Sequence, residues 1–568
     1  MMKKTILFAT ALTLSLAASA QSWQDALQFS EYNYGGTARS VALGNALTAV
    51  GGDMGSIGLN PAGSAVPAYS QMGFTTGLSI SSASATSSNP ELAFGDRVET
   101  GWTRLKMPNI GFVVNFNTGN RSGLRRVSFG FVSNATHDYT SRMYATGINA
   151  TNSFCGSVAS SAAGYPEDAL RGYSPYGWWN LDDYSSSYNL SWRDIVGYRS
   201  GIFGLVNGRY LGLTDSGSGV LAPLYQKFGC QTKGFKHDMV INVGFNYNDE
   251  FYWGVNLGLV RLNFGQSEYW YEAPANSAEF PAISFDINPY ARFNSLEMKR
   301  VFEARGNGAY LKAGVLYAPT GTGLRMGAAL QTPTITDINT RLSYYGKAYV
   351  TGAALPSSYS PEWEDSYALV SPWRFNAGIA YTFGNAAMIS ADYEVANYSQ
   401  SFFRSQSESR IYYDKSYFSN TNADIKDVLG VSHMLRVGLE ANLAPGLAVR
   451  AGYGFTTAAQ HNYLEWVYDP TDDKDHLMVY PLSVNERRAL LKQQFSLGFG
   501  YTHGACFTDF AVRYRMEPNE YYMPYRYYGY DGSNYTDKYE VTEAPYTVPE
   551  IAASFNRFEA MVTFGVRF

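Results

Sequence analysis

Few residues of this chain stand at spacings that could support chemistry. The six histidines are scattered and form no H-E-x-x-H pattern, so the sequence predicts no metal site. No nucleophile stands in a recognisable constellation with a base, as covalent catalysis needs. We therefore expect no enzyme activity and no cofactor.

A set of charged side chains at alternate positions of short apolar segments is better placed to act together. The set comprises Arg436, Glu440, Arg450, Arg513, Arg515, Glu559 and Arg567. If their neighbours face lipid, these residues face a narrow lumen, where a charge needs an opposite partner or water. Both signs are present, so two interpretations stay open: a paired network that holds an internal plug, or a ring that selects solutes.

The cysteines add one candidate bond. Cys155 and Cys230 fall in one long predicted loop and could form a disulfide in an oxidising compartment, although free thiols fit the sequence equally well. Cys506 stands alone.

The clearest element is the C-terminal segment FEAMVTFGVRF, residues 558–568. One face of it is fully apolar, and the other carries Glu559 and Arg567. This period of two is typical of a strand between lipid and a polar lumen. The terminal Phe568 also resembles the assembly signal of outer-membrane barrels, so we expect the barrel assembly machinery to bind this strand.

The same alternation recurs along the chain and predicts about fourteen strands of roughly 9–12 residues, long enough to cross a membrane at barrel tilt. The predicted strands span residues 70–80, 109–117, 126–134, 238–247, 251–261, 308–317, 323–332, 373–383, 387–397, 434–443, 447–456, 495–502, 507–516 and 558–568. Short turns alternate with long loops, which places every long loop on one side. The predicted fold class is all-β: a transmembrane antiparallel β-barrel of about 14 strands with long extracellular loops.

The N-terminus and the composition indicate the compartment. Residues 1–20 combine two lysines, a thirteen-residue apolar stretch and an A-x-A site, which predicts a signal peptide. Its removal moves the formal charge from −5 to −7, and this mild acidity argues against nucleic acid as a partner. No later segment reaches eighteen consecutive apolar residues, so the sequence predicts no membrane-spanning helix.

One run remains unexplained by these elements: GGTARSVALGNALTAVGGDMGSIGLNPAG, residues 35–63. It is too rich in glycine for a stable helix and too poor in large apolar residues for a core. The run resembles the N-terminal motif of the FadL/TodX family of outer-membrane transporters for long-chain fatty acids and other hydrophobic compounds. The matching residues are Gly36, Ala38, Arg39, Ala42, Gly44, Ala46, Asp53, Asn60, Pro61, Ala62 and Gly63.

The resemblance implies a division of the chain and a mechanism. Residues 21–68 would form an N-terminal segment with a hatch inside the lumen, and residues 69–568 the barrel. Substrate would be captured among the loops, pass above the hatch and leave sideways through a gap in the wall near residues 126–134. The hatch and gating candidates are Arg39, Asp53, Asn60, Pro61, Ala62 and Gly63.

The loops leave two function classes open. They are rich in tyrosine rather than in aliphatic residues, as residues 174–192, 412–420 and 517–539 show, whereas a long acyl chain favours an aliphatic pocket. The first class is a monomeric outer-membrane transporter whose partners are a hydrophobic small molecule or lipid and the surrounding membrane lipid. The second is a non-transporting interaction or secretion-accessory barrel that binds a protein or polymer through its loops.

Overall fold

A computed structural model describes residues 22–87, 93–171, 190–216, 219–277, 280–282, 291–405, 418–469, 474–526 and 549–568. The predicted signal peptide lies outside these residues. Of the three tyrosine-rich stretches, only residues 190–192, 418–420 and 517–526 are described.

Helices are short and few in the described ranges. They are α1 Trp23–Ser30, α2 Ala38–Ala42, two 3-10 helices at Met54–Gly58 and Pro61–Ala65, α3 Phe154–Ser161, α4 Glu167–Arg171, α5 Trp192–Arg199, a 3-10 turn at Tyr398–Gln400, α6 Ser419–Val428 and α7 Val484–Ala489. Among them, none is long and apolar enough to cross a membrane.

Strands make up most of the described chain. In order they are β1 Gln71–Ser87, β2 Val98–Asn117, β3 Leu124–Asp138, β4 Ser141–Asn149, β5 Phe203–Val206, β6 Arg209–Gly212, β7 Asp215–Ser216, β8 Gly219–Val220, β9 Leu224–Tyr247, β10 Phe251–Pro274, β11 Phe293–Tyr317, β12 Leu324–Gln331, β13 Ile335–Val350, β14 Ser357–Tyr359, β15 Trp363–Val370, β16 Arg374–Phe383, β17 Ala387–Asn397, β18 Phe402–Ser405, β19 Val431–Ala444, β20 Leu447–Thr456, β21 Asn462–Asp469, β22 Lys474–Pro481, β23 Lys492–His503, β24 Cys506–Met516, β25 Glu520–Tyr522 and β26 Ile551–Arg567.

Fourteen of these strands close into one antiparallel barrel. The wall runs β1, β2, β3, β9, β10, β11, β12, β16, β17, β19, β20, β23, β24 and β26, and β26 pairs back onto β1. The predicted fold class and strand number are therefore confirmed. Closure pairs the first wall strand with the last, so the sheet has no free outer edge strand, which a chain in lipid needs because no water is there to bond the backbone.

The two faces of the wall are sorted as the sequence predicted. On β26, the outward side chains of Phe558 and Phe564 are exposed, while Glu559 between them is fully buried in the interior. On β19, Leu439 is exposed and Arg436 is buried in the same way. Apolar residues thus face outward and charged residues face the lumen.

The strands extend well beyond their predicted ends. Residues 98–108, 224–237, 262–274, 293–307 and 335–350 were expected in long loops, and each is strand. The extensions all lie at the end of the barrel opposite the short turns, and we call the two ends the loop end and the short-turn rim. Most outward side chains of the extensions are polar or tyrosine, with Leu105, Met107, Val301 and Ile335 as exposed aliphatic exceptions, so the regular apolar-outward pattern ends before the strands do.

Two prolines divide wall strands into lower and upper parts. Pro333 separates β12 from β13, and Pro372 separates β15 from β16. A proline has no N–H to offer the ladder. The wall is held across both breaks by two bonds, since the N–H of Ser371 donates to the carbonyl of Thr334 (2.9 Å) and the N–H of Thr334 donates to Ser371 Oγ (2.9 Å).

The N-terminal segment, residues 22–66, lies within the ring of strands. Helix α2 packs against β20, β23, β24 and β26, whereas the 3-10 helix Pro61–Ala65 packs against β9, β10 and β11 on the other side. Inward-facing wall glycines allow this close approach. A Cβ at Gly254 would lie 2.7 Å from the carbonyl oxygen of Pro61, and one at Gly438 would lie 2.7 Å from that of Leu43.

A compact cap, the canopy, is formed at the loop end by residues 153–216 and 219–220 within the described ranges. Its buried core joins α3 and α5 to inward side chains near the upper ends of β1, β4, β10, β11, β13 and β26. Cys155 lies in this core and its Sγ contacts the carbonyl of Ile202 (2.7 Å), while Cys230 is buried on β9. Both are free thiols, so the disulfide considered from the sequence is not formed.

Candidate functional site

The N-P-A-G stretch is bonded to the wall on one flank of the lumen. Asn60 Nδ2 donates to the carbonyl of Val315 on β11 (2.9 Å), and Asn60 Oδ1 accepts the N–H of Ala62 (3.1 Å). The carbonyl of Pro61 accepts Nδ2 of Asn242 on β9 (3.0 Å). These bonds hold the bend at Asn60–Pro61 against β9 and β11, so this bend is an anchored part of the segment.

Asp53 and Gly63 hold the segment to itself. Asp53 Oδ1 accepts from Thr37 Oγ1 (2.7 Å) and from the N–H of Gly55 (2.8 Å), which caps the first 3-10 helix. The carbonyl of Gly63 accepts the N–H of Gly52 (2.9 Å). The predicted gating residues therefore include internal braces as well as wall contacts.

Arg39 enters a chain of ion pairs near the short-turn rim. Its Nε and Nη2 lie 2.9 and 3.0 Å from the two carboxylate oxygens of Glu440. Glu440 also receives Arg450 Nε (2.5 Å), and Arg450 Nη1 reaches Asp509 (2.5 Å). Planar bidentate pairing of this kind is the strong form of a charge-assisted hydrogen bond.

Most of the other predicted lumen charges are also paired, whereas Arg567 contacts the rings of Tyr69 (4.8 Å) and Phe507 (5.1 Å). Arg513 donates to Glu559 (2.6 Å) and to the carbonyl of Tyr34 (2.7 Å), and Glu559 is in addition bonded by Lys106. Arg436 Nη1 lies 3.2 Å from Glu394 Oε2. Because these cations meet carboxylates or the N-terminal segment, the arrangement supports a network that holds an internal plug rather than an open ring of charge.

A second cluster around Tyr32 was not identified from the sequence. The ring of Tyr32 has Lys236 Nζ at 4.1 Å and Arg374 Cζ at 4.2 Å from its centre, and its hydroxyl donates to Asp238 (3.1 Å). Two cation–π contacts and this hydrogen bond hold the ring in place. Lys236, Asp238 and Arg374 stand at inward positions of wall strands, so the alternation that pointed to Arg436 could have identified them.

The wall is interrupted between β2 and β3. Their backbone pairing runs from Asn117↔Arg126 to Asn109↔Asn134 and stops there, although both strands continue. The N–H groups of Asn33 and Gly35 in the N-terminal segment donate to the carbonyls of Thr136 (2.6 Å) and Ala135 (2.8 Å) on β3. The segment thus bonds the part of β3 that β2 leaves unpaired.

This interruption is a bounded window. Above it, Arg104 Nη1 donates to Thr140 Oγ1 (2.8 Å), and Thr100 Oγ1 donates to the carbonyl of Arg142 (2.5 Å). Side chains of β2 therefore bond to the chain that follows β3, and these bonds close the window at its upper end. A Cβ at Gly35 would lie 3.3 Å from Ala135 Cβ and 3.5 Å from Pro108 Cβ. Gly35 therefore fills the window from the inside. The interruption begins just after residues 126–134, the range near which the resemblance implied a gap.

A cavity of about 330 Å³ lies at the loop end next to this window. His137 and Asp138, which follow the window on β3, line it together with α1. Its larger apolar or aromatic side chains are Trp23, Leu27, Tyr139, Leu490, Tyr521, Tyr522 and Phe555. Its charged side chains are Glu31, Asp138, Lys492, Glu517, Glu520 and Arg557. The lining is therefore aromatic and mixed in polarity rather than aliphatic.

A separate cavity of about 580 Å³ opens at the short-turn rim. Arg39, Arg325, Glu440 and Asp509 line it, with residues 50–53. The N-terminal segment thus lines both cavities, through residues between 23 and 33 at the loop end and through residues 50–53 and 66 at the short-turn rim. Across the described ranges, no three His, Cys, Asp or Glu side chains are grouped to hold a metal ion.

Comparison with known proteins gives the fold. No protein-family model and no curated protein matches the sequence. The crystal structure of a Pseudomonas aeruginosa FadL homologue matches 94% of this chain and 99% of its own, at 11% identity and a TM-score of 0.50. The toluene transporters TbuX of Ralstonia pickettii and TodX of P. putida each match 94% of this chain at 12% identity and a TM-score of 0.43, over 98% and 99% of their own chains. The FadL homologue has the fold that the sequence resemblance implied.

Proposed function

We propose that this chain is a FadL-type transporter that carries hydrophobic small molecules across the outer membrane of a Gram-negative bacterium. The observation that carries the proposal is the window between β2 and β3, occupied by the backbone of Asn33 and Gly35. A barrel that served only as a scaffold would gain from completing this ladder. An interrupted wall next to a cavity is the arrangement that lateral release needs.

The cavity beside α1 would capture the substrate. Its aromatic side chains offer flat apolar contact area. Lys492 lies 2.6 Å from Glu31, and Arg557 lies 2.9 Å from Asp138, so these four charges are already paired. A ring-bearing or amphipathic molecule suits this lining better than a simple long acyl chain.

Release would require residues 31–36 to leave the window. Two backbone hydrogen bonds join them to β3, and a hydrogen bond of this kind contributes about 1 kcal/mol net. The side chains of Glu31, Tyr32 and Tyr34 are held as well, by Lys492 (2.6 Å), Asp238 (3.1 Å) and Glu394 (3.1 Å), so the movement would also have to break these contacts. The bend at Asn60–Pro61 would stay anchored to β9 and β11 during this movement. In this proposal the gating part lies near Gly35, whereas Asn60, Pro61, Ala62 and Gly63 act as the fixed base.

The canopy supports a second candidate function. It has its own buried core and covers the loop end, as a module that binds a protein or polymer would. In that case the barrel would anchor the canopy in the membrane, and residues 31–36 would stay bonded to β3 so that the window never opens. The two functions differ in whether the window must open.

A reversible lock on the window separates them. We would introduce Gly35→Cys and Ala135→Cys together in a Cys506→Ser background, because the Cβ positions lie 3.3 Å apart, just below the disulfide range of about 3.5–4.5 Å. The new Cβ at position 35 would also lie 2.8 Å from the carbonyl oxygen of Ala135, so the backbone at Gly35 must move slightly away from β3, which brings the two Cβ atoms into that range. Uptake of a fluorescent hydrophobe into cells or proteoliposomes is expected to fall at least about tenfold under oxidation and to recover with reductant.

The single variants Gly35→Cys and Ala135→Cys, treated in the same way, control for each substitution. Full uptake in a barrel shown by mass spectrometry to be oxidised at these two positions would overturn the transport proposal. It would favour the interaction function instead.

A further inference from the structure

An ordered row of aromatic and basic side chains lies on the outer surface of the loop end. Across β10, β11, β13 and β14, Tyr269 pairs with Lys299, Lys299 with Tyr345, and Tyr345 with Tyr359. On the other side of Tyr269, the row continues through Gly229 to Tyr144 on β4. We call this row and the one above it, Lys227 to Lys347, the tyrosine–lysine ladder.

The ladder is tightly organised for an outer surface. The ring of Tyr144 covers Gly229, where a Cβ would come within 2.5 Å of Tyr144 Cε1. The rings of Tyr345 and Tyr359 stand 4.8 Å apart, and Tyr269 stacks on Tyr271 at 6.4 Å. The aromatic faces are therefore held in place before any ligand arrives, which lowers the entropy cost of binding.

Cations are interleaved with these rings. Lys299 Nζ lies 5.6 Å from the ring of Tyr269 and 5.7 Å from that of Tyr345. Lys227 Nζ lies 4.6 Å from Tyr144, and Lys347 Nζ lies 4.8 Å from Tyr349. Such ammonium groups keep most of their hydrogen-bond donors available. Within these two rows the acidic side chain is Glu297, so the ladder carries a net positive charge.

Its height shows that the ladder is no membrane girdle. On β10 the outward aliphatic side chains end at Leu259, and the exposed Arg261 follows. Tyr269 comes eight residues later, which at about 3.3 Å per residue and a tilt of about 40° is about 20 Å beyond the apolar band. Girdle tyrosines at the other rim, Tyr317 among them, lie next to the aliphatic band.

We propose that the tyrosine–lysine ladder binds the phosphorylated sugar head of the glycolipid in the outer leaflet, a lipopolysaccharide core. The inference rests on the outer-membrane placement in the proposed function. The ladder continues upward from the lipid-facing wall, so a lipid beside β9 to β13 carries its head group along this surface. Aromatic faces suit the apolar faces of sugar rings, and lysines suit phosphate groups.

The test compares two variants of the purified barrel. The ladder variant carries Tyr269→Ser, Lys299→Ser and Tyr345→Ser. The control variant carries Tyr317→Ser, Tyr381→Ser and Tyr501→Ser, which removes three outward tyrosines at the short-turn rim. Binding is measured in detergent by native mass spectrometry and by titration, after circular dichroism has shown both barrels to be folded.

Four probes identify the ligand: core-bearing lipopolysaccharide, the same lipid after dephosphorylation, lipid A alone, and free core oligosaccharide. We expect the ladder variant to bind the core-bearing lipid at least about tenfold more weakly than wild type and the control variant. Dephosphorylation should weaken wild-type binding. Lipid A should bind all three proteins alike, and the free oligosaccharide should bind more weakly than the anchored form.

A second variant, Lys227→Ser with Lys299→Ser and Lys347→Ser, keeps every tyrosine and covers the case in which the first one fails to fold. Equal binding of core-bearing lipid by wild type and a folded ladder variant would overturn the proposal. A dimer that the ladder variant abolishes would also overturn it and assign the surface to a second copy. A hydrophobe bound in the lumen is seen in the same spectra, so failure of the transport proposal can be recognised separately.

Discussion

Individual residues in the lumen act mainly by pairing charges that are far apart in the sequence. Arg39 and Glu440 are separated by 401 positions and meet in a bidentate pair. The alternation of each strand placed Glu440, Arg450 and Arg513 in the interior, and the structure agrees. Their partners could not be predicted, because partner choice depends on how the N-terminal segment lies in the lumen.

At Glu440 the pairing leads to a stability prediction. Replacing Glu440 by Gln leaves Arg39 and Arg450 facing each other without their shared carboxylate. Breaking a buried pair in this way lowers the free energy of unfolding by about 3–5 kcal/mol. Because Arg39 is partly exposed, we expect a loss of about 3 kcal/mol, at the low end of this range. The measurement is the urea midpoint of the purified barrel.

Glu364→Gln is the matched control. Glu364 pairs with Arg341 on the outer surface, where both side chains are more than half exposed. Exposed pairs contribute about 0–1 kcal/mol, so this midpoint should hardly move. Equal shifts for both variants would show that the Arg39 network does not stabilise the barrel.

At the scale of elements, the strands were predictable only where one face meets lipid. All fourteen wall segments were located because aliphatic side chains alternate with polar ones. The upper extensions were assigned to loops because Tyr269, Lys299 and Tyr345 make their outer face polar. The position of the window could not be predicted, because it depends on where the backbone pairing between β2 and β3 stops, and the sequence pattern continues past that point.

The canopy provides a prediction about pH. Asp215 of β7 accepts hydrogen bonds from Ser153 Oγ at the start of α3 (2.7 Å) and from Thr214 Oγ1 (3.2 Å). Burial raises the pKa of Asp215 to about 7. The folded canopy therefore favours the protonated acid. The stability that protonated Asp215 contributes to the folded state is complete below about pH 4. It is lost as the pH rises through about 7, and it amounts to at most about 4 kcal/mol.

Hydrogen exchange of residues 153–161, corrected for intrinsic rates, should accordingly accelerate as the pH rises from about 4 to about 7 and level off above that in the native protein. Asp215→Asn keeps the shape without the charge and should flatten this dependence. Glu272 of β10 accepts the N–H of Phe154 at the start of α3 (2.6 Å), so its carboxyl group also contacts this helix. The variant Glu272→Gln is therefore measured in the same way. A wild-type profile that does not change with pH would contradict the prediction.

For the whole molecule, the N-terminal segment divides one barrel into two different compartments. The cavity at the loop end is aromatic and joins the window, whereas the cavity at the short-turn rim is lined by the Arg39 network. A passage straight through would have to displace the buried ion pairs of the Arg39 network, whereas a passage to the window would have to displace the two backbone bonds to β3 and the contacts of Glu31, Tyr32 and Tyr34. We propose the sideways route because it leaves the Arg39 network intact.

This division predicts where a co-purified ligand resides. Ala458 lines the loop-end cavity and Ala448 lines the other one, so Ala458→Trp and Ala448→Trp each fill a single compartment with the same side chain. Native mass spectrometry of the wild-type barrel should show an added hydrophobic small molecule. Ala458→Trp should reduce its occupancy at least about fivefold, a loss of about 1 kcal/mol in binding, while Ala448→Trp should leave it unchanged. If Ala448→Trp were the variant that lost the ligand, capture would occur at the short-turn rim, and the direction proposed for transport would be wrong.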